Sequence, residues 1–252
     1  MTRTRYQENY SELYSHEIND QSRKSKALKT LAVLKDYLSD DLSKMNVLEV
    51  GCFTGEIGLM IAEHFSTWSA IDIDQNAIQI AQQRNIKEFH EHIYYRVMNA
   101  ETLGFSDDSF DIIICSHVYE HVPHPQKMMD EIHRVLRRDG ICYFAAGNRL
   151  VIMEPHYKLP FLTYLPKSLA NVYLKLFRGR SHYYETHFSL FSLRKLVNNF
   201  RIIDYTGKVI REPNKFYATD MLQEGSLKQK VSLVFIRVFY SLSPTYIWVL
   251  RK

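Results

Sequence analysis

The stretch "VLEVGCFTGEIG", residues 47–58, decides how the chain is read. An apolar run, Val47-Leu48-Glu49-Val50, meets Gly51, and a helix is expected to begin after Gly55. A strand–glycine turn–helix unit offers main-chain N–H groups and a helix N-terminus to a ligand. Phe53 stands where a G-x-G-x-G turn would carry its middle glycine. In a dinucleotide loop that glycine lets the backbone approach a pyrophosphate, and a phenyl ring would crowd the approach. Alone, the unit is a weak signal, and its surroundings must say what it holds.

Downstream of it the pattern alternates. Strands are expected at 46–50, 68–72, 93–97, 110–115 and 141–146, with helices near 56–65, 75–85 and 125–137. That alternation implies an α/β fold with a doubly wound, Rossmann-like parallel sheet and a ligand beyond the strands' carboxyl ends. Upstream, residues 23–38 space their apolar groups as an amphipathic helix, and Tyr6, Tyr10 and Tyr14 recur every four residues. The tyrosine stripe suits packing onto the domain better than covering a ligand. After Gly147 the regularity stops: 148–191 holds Pro155, Pro160, Pro166 and many aromatics, which reads as an inserted aromatic, partly helical cap. Further elements are expected at 192–199 (helix), 201–210 (strand), 226–242 (helix) and 245–252 (strand). The division is thus a helical lid over 1–45, an α/β core over 46–147, the cap, and a C-terminal completion of the sheet over 192–252 with a helical insertion.

Asp72 ends the second strand 21 residues after Gly51, where a carboxylate can accept both hydroxyl protons of a ribose. Four segments, "VLEVGCFTGEIG", "AIDIDQNAIQIA", "NAETLGFSDDSFDIIICSHVYEHV" and "EIHRVLRRDGICYF", occur in the order and spacing of a known family. Over about 46–147 the chain resembles the class I S-adenosylmethionine-dependent methyltransferases. The resemblance implies a seven-stranded sheet with an antiparallel last strand, and S-adenosyl-L-methionine as cofactor. It implies that Glu49, Gly51, Cys52 and Gly55 line the methionine end, and that Asp72 holds the ribose. Ile73 would pack on the adenine, and Asn99, Ala100 and Glu101 would meet its edge. Cys115, Ser116 and His117 would lie beside the sulfonium. S-adenosylmethionine has no phosphate, so Phe53 is compatible with it, its ring lying either near the sulfonium or turned into the neighbouring helix.

Oxygen acceptors need a proton removed, so a base is expected. His117 is the first candidate, followed by His156 and His187 of two Glu-x-His units, Glu154-Pro155-His156 and Glu185-Thr186-His187. In extended backbone, residues i and i+2 share a face, so each pair can act together. A carboxylate orienting a catalytic imidazole is one reading and a divalent metal held by both units a minor one; no H-E-x-x-H and no Cys/His cluster supports the metal, so none is expected. His121 reads as structural.

Composition bounds the partners. Residues 1–147 hold 15 Lys+Arg against 22 Asp+Glu (−7), and 148–252 hold 17 against 6 (+11). A basic C-terminal part suits an anionic small-molecule acceptor or a membrane surface. The positive charges are scattered, which speaks against a nucleic-acid substrate. Residues 226–242 combine apolar groups with Lys228, Lys230 and Arg237; burial in a core or dimer interface is favoured over membrane contact. The N-terminus lacks an apolar signal and the three cysteines read as reduced thiols, so a cytoplasmic protein is expected, with peripheral membrane contact as its variant. The expected function is methyl transfer to a small-molecule oxygen; the alternatives are a quinone or lipid-linked sugar acceptor, RNA, or a non-catalytic scaffold.

Overall fold

The computed structural model describes residues 10–11, 20–39, 41–88, 91–180 and 182–252, so Tyr6 and Tyr14 lie outside the described residues. Strands β1 (Asn46–Val50), β2 (Thr67–Asp72), β3 (Ile93–Val97), β4 (Phe110–Ser116), β5 (Leu136–Gly147), β6 (Arg201–Asp204) and β7 (Thr245–Arg251) form one sheet. Their order is β3-β2-β1-β4-β5-β7-β6. The first five pair in parallel, and β7 runs antiparallel to both β5 and β6. This is the seven-stranded, doubly wound sheet with a reversed last strand.

The helices are α1 (Asp20–Leu38), α2 (Glu56–Ile61), α3 (Gln75–Glu88), α4 (Pro125–Val135), α5 (Lys167–Arg178), α6 (Leu190–Leu196), α7 (Thr206–Arg211) and α8 (Leu227–Val238). Successive strand residues face opposite sides, so β4 sends Ile112 and Ile114 to one core and Ile113 and Cys115 to the other. The first core takes Leu31 of α1, Ile61 of α2, Ile78 of α3 and Val209 of α7. The second takes Ile132 of α4 and Leu193 of α6. Both faces are covered, as a parallel sheet requires.

Two expectations for the C-terminal part are corrected. The strand expected over 201–210 ends at Asp204, and 206–211 is helical. Asp204 Oδ1 accepts a bond from Thr206 N at 2.8 Å, and that side-chain bond turns the backbone out of the sheet. For the α8 segment the core alternative is corrected, since Leu227, Val231, Val234 and Val238 are all exposed on the single chain, as an interface helix would also be. Gln229 is the α8 residue that goes inward, bonding the carbonyls of Ile210 and Arg211 at 3.0 Å each.

The cap, 148–191, has a small core of its own in which Tyr157, Leu159 and Leu162 pack on Ala170 and Leu174 of α5 and on Tyr183. Lys167 Nζ donates to the carbonyls of Tyr183 and Tyr184 at 3.0 Å and to that of Glu185, which fixes the returning strand of the cap. Its first residue, Asn148, is fully buried. The Asn148 amide donates to the carbonyls of Ser241 and Ser243 at 2.8 Å and contacts Tyr246 Oη at 3.0 Å. Its own Oδ1 accepts from Leu150 N at 3.1 Å. Orphaning buried polar groups costs roughly 1–3 kcal/mol each. Asn148→Ala should therefore destabilise the protein by about 2–4 kcal/mol, read as a lower urea midpoint at unchanged slope. A loss below about 0.5 kcal/mol, the range of surface changes, would show that this amide does not hold the cap.

Candidate active site

The turn after β1 is left-handed at alternate residues: Gly51 has φ 70°, Phe53 φ 51° and Gly55 φ 81°. A Cβ on Gly51 would come within 2.6 Å of Val118 Cγ2, and one on Gly55 within 2.6 Å of the Tyr95 hydroxyl. Both glycines are therefore required by space as well as by backbone. Phe53 keeps the glycine-like conformation with a side chain, at a cost of roughly 1–2 kcal/mol. Its N–H donates to Asp72 Oδ2 at 2.8 Å. That N–H is thus committed to a carboxylate of the protein and is turned away from any phosphate.

Asp72 accepts a second bond from Asp74 N at 3.0 Å. Burial raises its carboxyl above the usual range, while the bonds from Asp74 and Phe53 oppose the rise. Glu49 sits deeper. Burial pushes its carboxyl up to about 8; the bond from Trp68 Nε1 at 3.0 Å opposes this, and the neighbouring Glu56 and Asp72 add to it. Glu56, at the start of α2, is paired with Arg84 at 2.7 Å and with Arg23, tying α1 and α3 to this end of the sheet.

The lid enters from above. Ser11 N donates to Asp74 Oδ2 at 2.7 Å, which holds Tyr10 over the cavity. The Tyr10 ring meets Phe53 edge-on at 5.5 Å and His121 at 5.3 Å. The Arg23 guanidinium stands 4.8 Å from the centre of the Phe53 ring. The one tyrosine of the stripe that is described therefore faces the cavity, against the packing role expected for it.

Opposite the glycine turn lies the end of β4. His117 has φ 58°, a strained value for a residue with a side chain, and its N–H donates to Ala145 O at 2.8 Å. Its Nδ1 lies 3.3 Å from Glu120 Oε1. Burial works to raise Glu120, but the His117 bond and the surrounding imidazoles outweigh it and hold the carboxyl at about 2. His121 is half-buried between Tyr10 and His156, its ring centre 4.9 Å from that of His156, and desolvation lowers it to about 3, so it is neutral.

The cap closes the remaining side. His156 Nδ1 is 2.8 Å from Glu154 Oε1; burial lowers this imidazole, but that bond and the charges of Glu185 and Glu154 raise it overall. His187 Nδ1 meets Tyr183 Oη at 3.2 Å, and burial lowers this ring. Tyr119 Oη donates to Gly147 O at 2.5 Å and accepts from Phe188 N at 3.1 Å, so the cap is fastened beside the catalytic candidates.

These groups surround a cavity of about 610 Å³. It gathers Glu49, Gly51, Cys52, Phe53, Asp72, Ile73, Asn99, Ala100, Ser116, His117, His156 and His187 of the expected site. Three expected residues stand outside its lining. Cys115 faces the second core. Glu101 spends its carboxylate on His124 N at 2.9 Å. Gly55 is pressed against Tyr95. Lining residues not foreseen include Arg23, Lys26, Met98, Val118, Glu120 and His121. For Glu120 the signal was present: it lies three residues after His117, the spacing of one turn.

Residues 48–144 match the family described as "Methyltransferase domain". Curated relatives named "Ubiquinone biosynthesis O-methyltransferase" include that of Coxiella burnetii, 30% identical over 108 residues, 43% of this chain and 46% of that protein. The one from Pseudomonas entomophila is 29% identical over 128 residues, 48% of this chain and 55% of its own. The chain thus spans about half the length of the curated relatives it matches. Among solved structures, a Pyrococcus horikoshii protein superposes with TM-score 0.63 at 16% identity, covering 96% of this chain and 99% of its own. An S-adenosylmethionine-dependent methyltransferase from Mesorhizobium loti gives 0.57 at 15%, covering 89% and 98%. The methyltransferase-domain match is confined to residues 48–144, and the seven-stranded sheet built around that segment is the fold shared with these solved structures.

The cavity fits S-adenosylmethionine, the cofactor that the resemblance implies: a turn closed to side chains at Gly51 and Gly55, a buried carboxylate at Asp72, and a largely protonated carboxyl at Glu49. A ligand ammonium arriving near Glu49 favours the ionised form, so the carboxyl's pKa falls through 7 and a proton leaves. Calorimetry of S-adenosylhomocysteine binding at pH 7, in buffers of differing ionisation enthalpy, should show release of close to one proton. Glu49→Gln should abolish the release; an unchanged value would place the ammonium elsewhere.

Proposed function

We propose that the chain transfers the methyl group of S-adenosylmethionine to an oxygen of a small-molecule acceptor, with His117 as general base. One observation carries this reading: an imidazole oriented by a buried, ionised Glu120 at the end of β4, facing the same cavity as the glycine turn and Asp72. The bound cofactor supplies an electrophilic methyl on a sulfonium that leaves as a neutral thioether. Gly51, Phe53 and Asp72 hold the nucleoside end. The contact from Nδ1 to Glu120 leaves His117 Nε2 to take the acceptor's proton, and Glu120 stabilises the resulting imidazolium. Tyr10 and the cap exclude water, and Lys26 offers the cavity a cation for an anionic group. The O-methyltransferase names of the curated relatives support oxygen as the acceptor atom.

The outer surface of the cap favours a second layer to this reading, an acceptor drawn from a membrane. Leu169, Val172 and Leu176 of α5 share one exposed face, and Phe177 and Phe161 are exposed beside it. Lys175 and Arg178 lie in the last turn of the same helix. An apolar face flanked by cations suits an anionic lipid surface. Among the described residues no helix is long and apolar enough to cross a membrane.

In a screen of phenols and alcohols followed by S-adenosylhomocysteine release, His117→Ala should lower kcat by about 10²–10⁴ and leave cofactor affinity within roughly twofold. Glu120→Gln weakens the acceptor that orients the imidazole, so kcat should fall by roughly tenfold while cofactor affinity stays within about twofold. A His117→Ala enzyme of full activity would overturn the base assignment. Cofactor binding with no transfer to any acceptor would leave the scaffold alternative. For the membrane layer, wild type should co-sediment with anionic liposomes, and Leu176→Ser/Phe177→Ser should weaken this at least several-fold; equal sedimentation of both proteins would remove it.

A further inference from the structure

In the sequence, a divalent metal held by both Glu-x-His units together is only the minor alternative, because neither a helical H-E-x-x-H nor a Cys/His cluster supports it. Folded, they share one wall of the cavity. Glu154, His156 and His187 each offer one ligand atom, and those atoms all lie within 4.8 Å of one another. Two imidazole nitrogens and one carboxylate oxygen form the donor set that holds a divalent transition metal while leaving positions open.

A second observation points the same way. His187 is 93% buried, being 7% exposed, and its Nε2 has no hydrogen-bond partner among the described residues. The contact of Nδ1 with Tyr183 Oη at 3.2 Å directs that Nε2 inward, which is how the outer partner of a ligating histidine acts. Buried and unpartnered as well are Glu120 Oε2 and Glu185 Oε2. Buried carboxylate oxygens without donors are costly, and a cation held nearby lowers that cost. Glu154 is preset for the task, because its Oε2 accepts from Tyr157 N at 2.7 Å and its oxygens cannot swing away. At the end of β5, Gly147 leaves room for the imidazole; a Cβ there would come within 3.2 Å of the His187 ring.

We propose that Glu154, His156 and His187 bind a divalent transition-metal ion whose open positions take an oxygen of the methyl acceptor. Mixed nitrogen and oxygen donors select Zn²⁺, Co²⁺ or Mn²⁺ over Mg²⁺ and Ca²⁺, which prefer oxygen throughout. In its role toward the acceptor the site rests on the methyltransferase reading above. A hydroxyl coordinated there ionises more readily, its proton passing to His117.

Chelator-stripped protein dialysed against Zn²⁺ or Co²⁺, with metal counted by mass spectrometry, should hold one ion per chain. Bound Co²⁺ should give visible absorption bands. His187→Ala and Glu154→Gln should each weaken Zn²⁺ binding by at least about 100-fold, and Tyr183→Phe by roughly tenfold. Calorimetry with S-adenosylhomocysteine, unchanged within about twofold, certifies that each variant is folded. Wild-type protein that binds the cofactor but no Zn²⁺ or Co²⁺ overturns the metal site and leaves the methyltransferase reading standing. So does Zn²⁺ binding that His187→Ala and Glu154→Gln both leave unaltered. Metal binding as described in a protein that methylates no acceptor sinks the methyltransferase reading alone.

Discussion

The approach of Val118 to Gly51 is the contact on which the site depends. β1 and β4 are parallel neighbours, with Val50 beside Cys115, so their following turns leave the sheet at the same edge. Those turns can lie against each other because residue 51 has no side chain; any Cβ would stand 2.6 Å from Val118. The result is a single cavity with the nucleoside turn on one side and His117, Glu120 and His121 on the other. A bulkier residue at 51 would push Val118, and with it the turn carrying His117 and Glu120, away from the glycine turn.

Once formed, that cavity concentrates ionisable groups where solvation is poor. Burial raises Glu49 and Asp72 and lowers His121 and His187, each toward its neutral form. Glu120 goes the other way because imidazoles face it. Neutral imidazoles beside an ionised carboxylate are poised to receive protons or to ligate, and the same burial that costs stability creates that readiness. Cysteines in this region do not join the chemistry. Burial drives Cys52 and Cys115 well above the ordinary thiol range, so they stay protonated.

What could be read in the sequence was local. The strands over 46–147, the glycine turn and Asp72 are set by short apolar runs and by backbone needs a few residues long. Phe53 kept the left-handed turn that a glycine would have eased, so the loop survived its apparent defect. Cys115, expected beside the sulfonium, packs with Ile113 in the second core, where strand alternation puts it. The break at Asp204 also had a local sign, an aspartate two residues before a threonine, but the apolar run around it masked the turn. The exposure of α8 had none: apolar nearly all round, its sequence left the tertiary contacts to decide.

The cap wall was illegible for a different reason. His121 and His156 touch across 35 residues of chain, and Glu154 meets His187 across 33. No periodicity encodes such meetings. They follow from main-chain anchors that bind each unit separately: Glu154 N bonds Leu159 O at 3.0 Å, and Thr186 N bonds Glu120 O at 2.8 Å. The backbone bonds position the two units, so their side chains are spared for the cavity. Tyr119 and Asn148 then lock both ends of the insertion to the sheet's edge. The wall is therefore preorganised before any ligand arrives, and small changes in the cap can retune the acceptor while the nucleoside half of the site stays fixed.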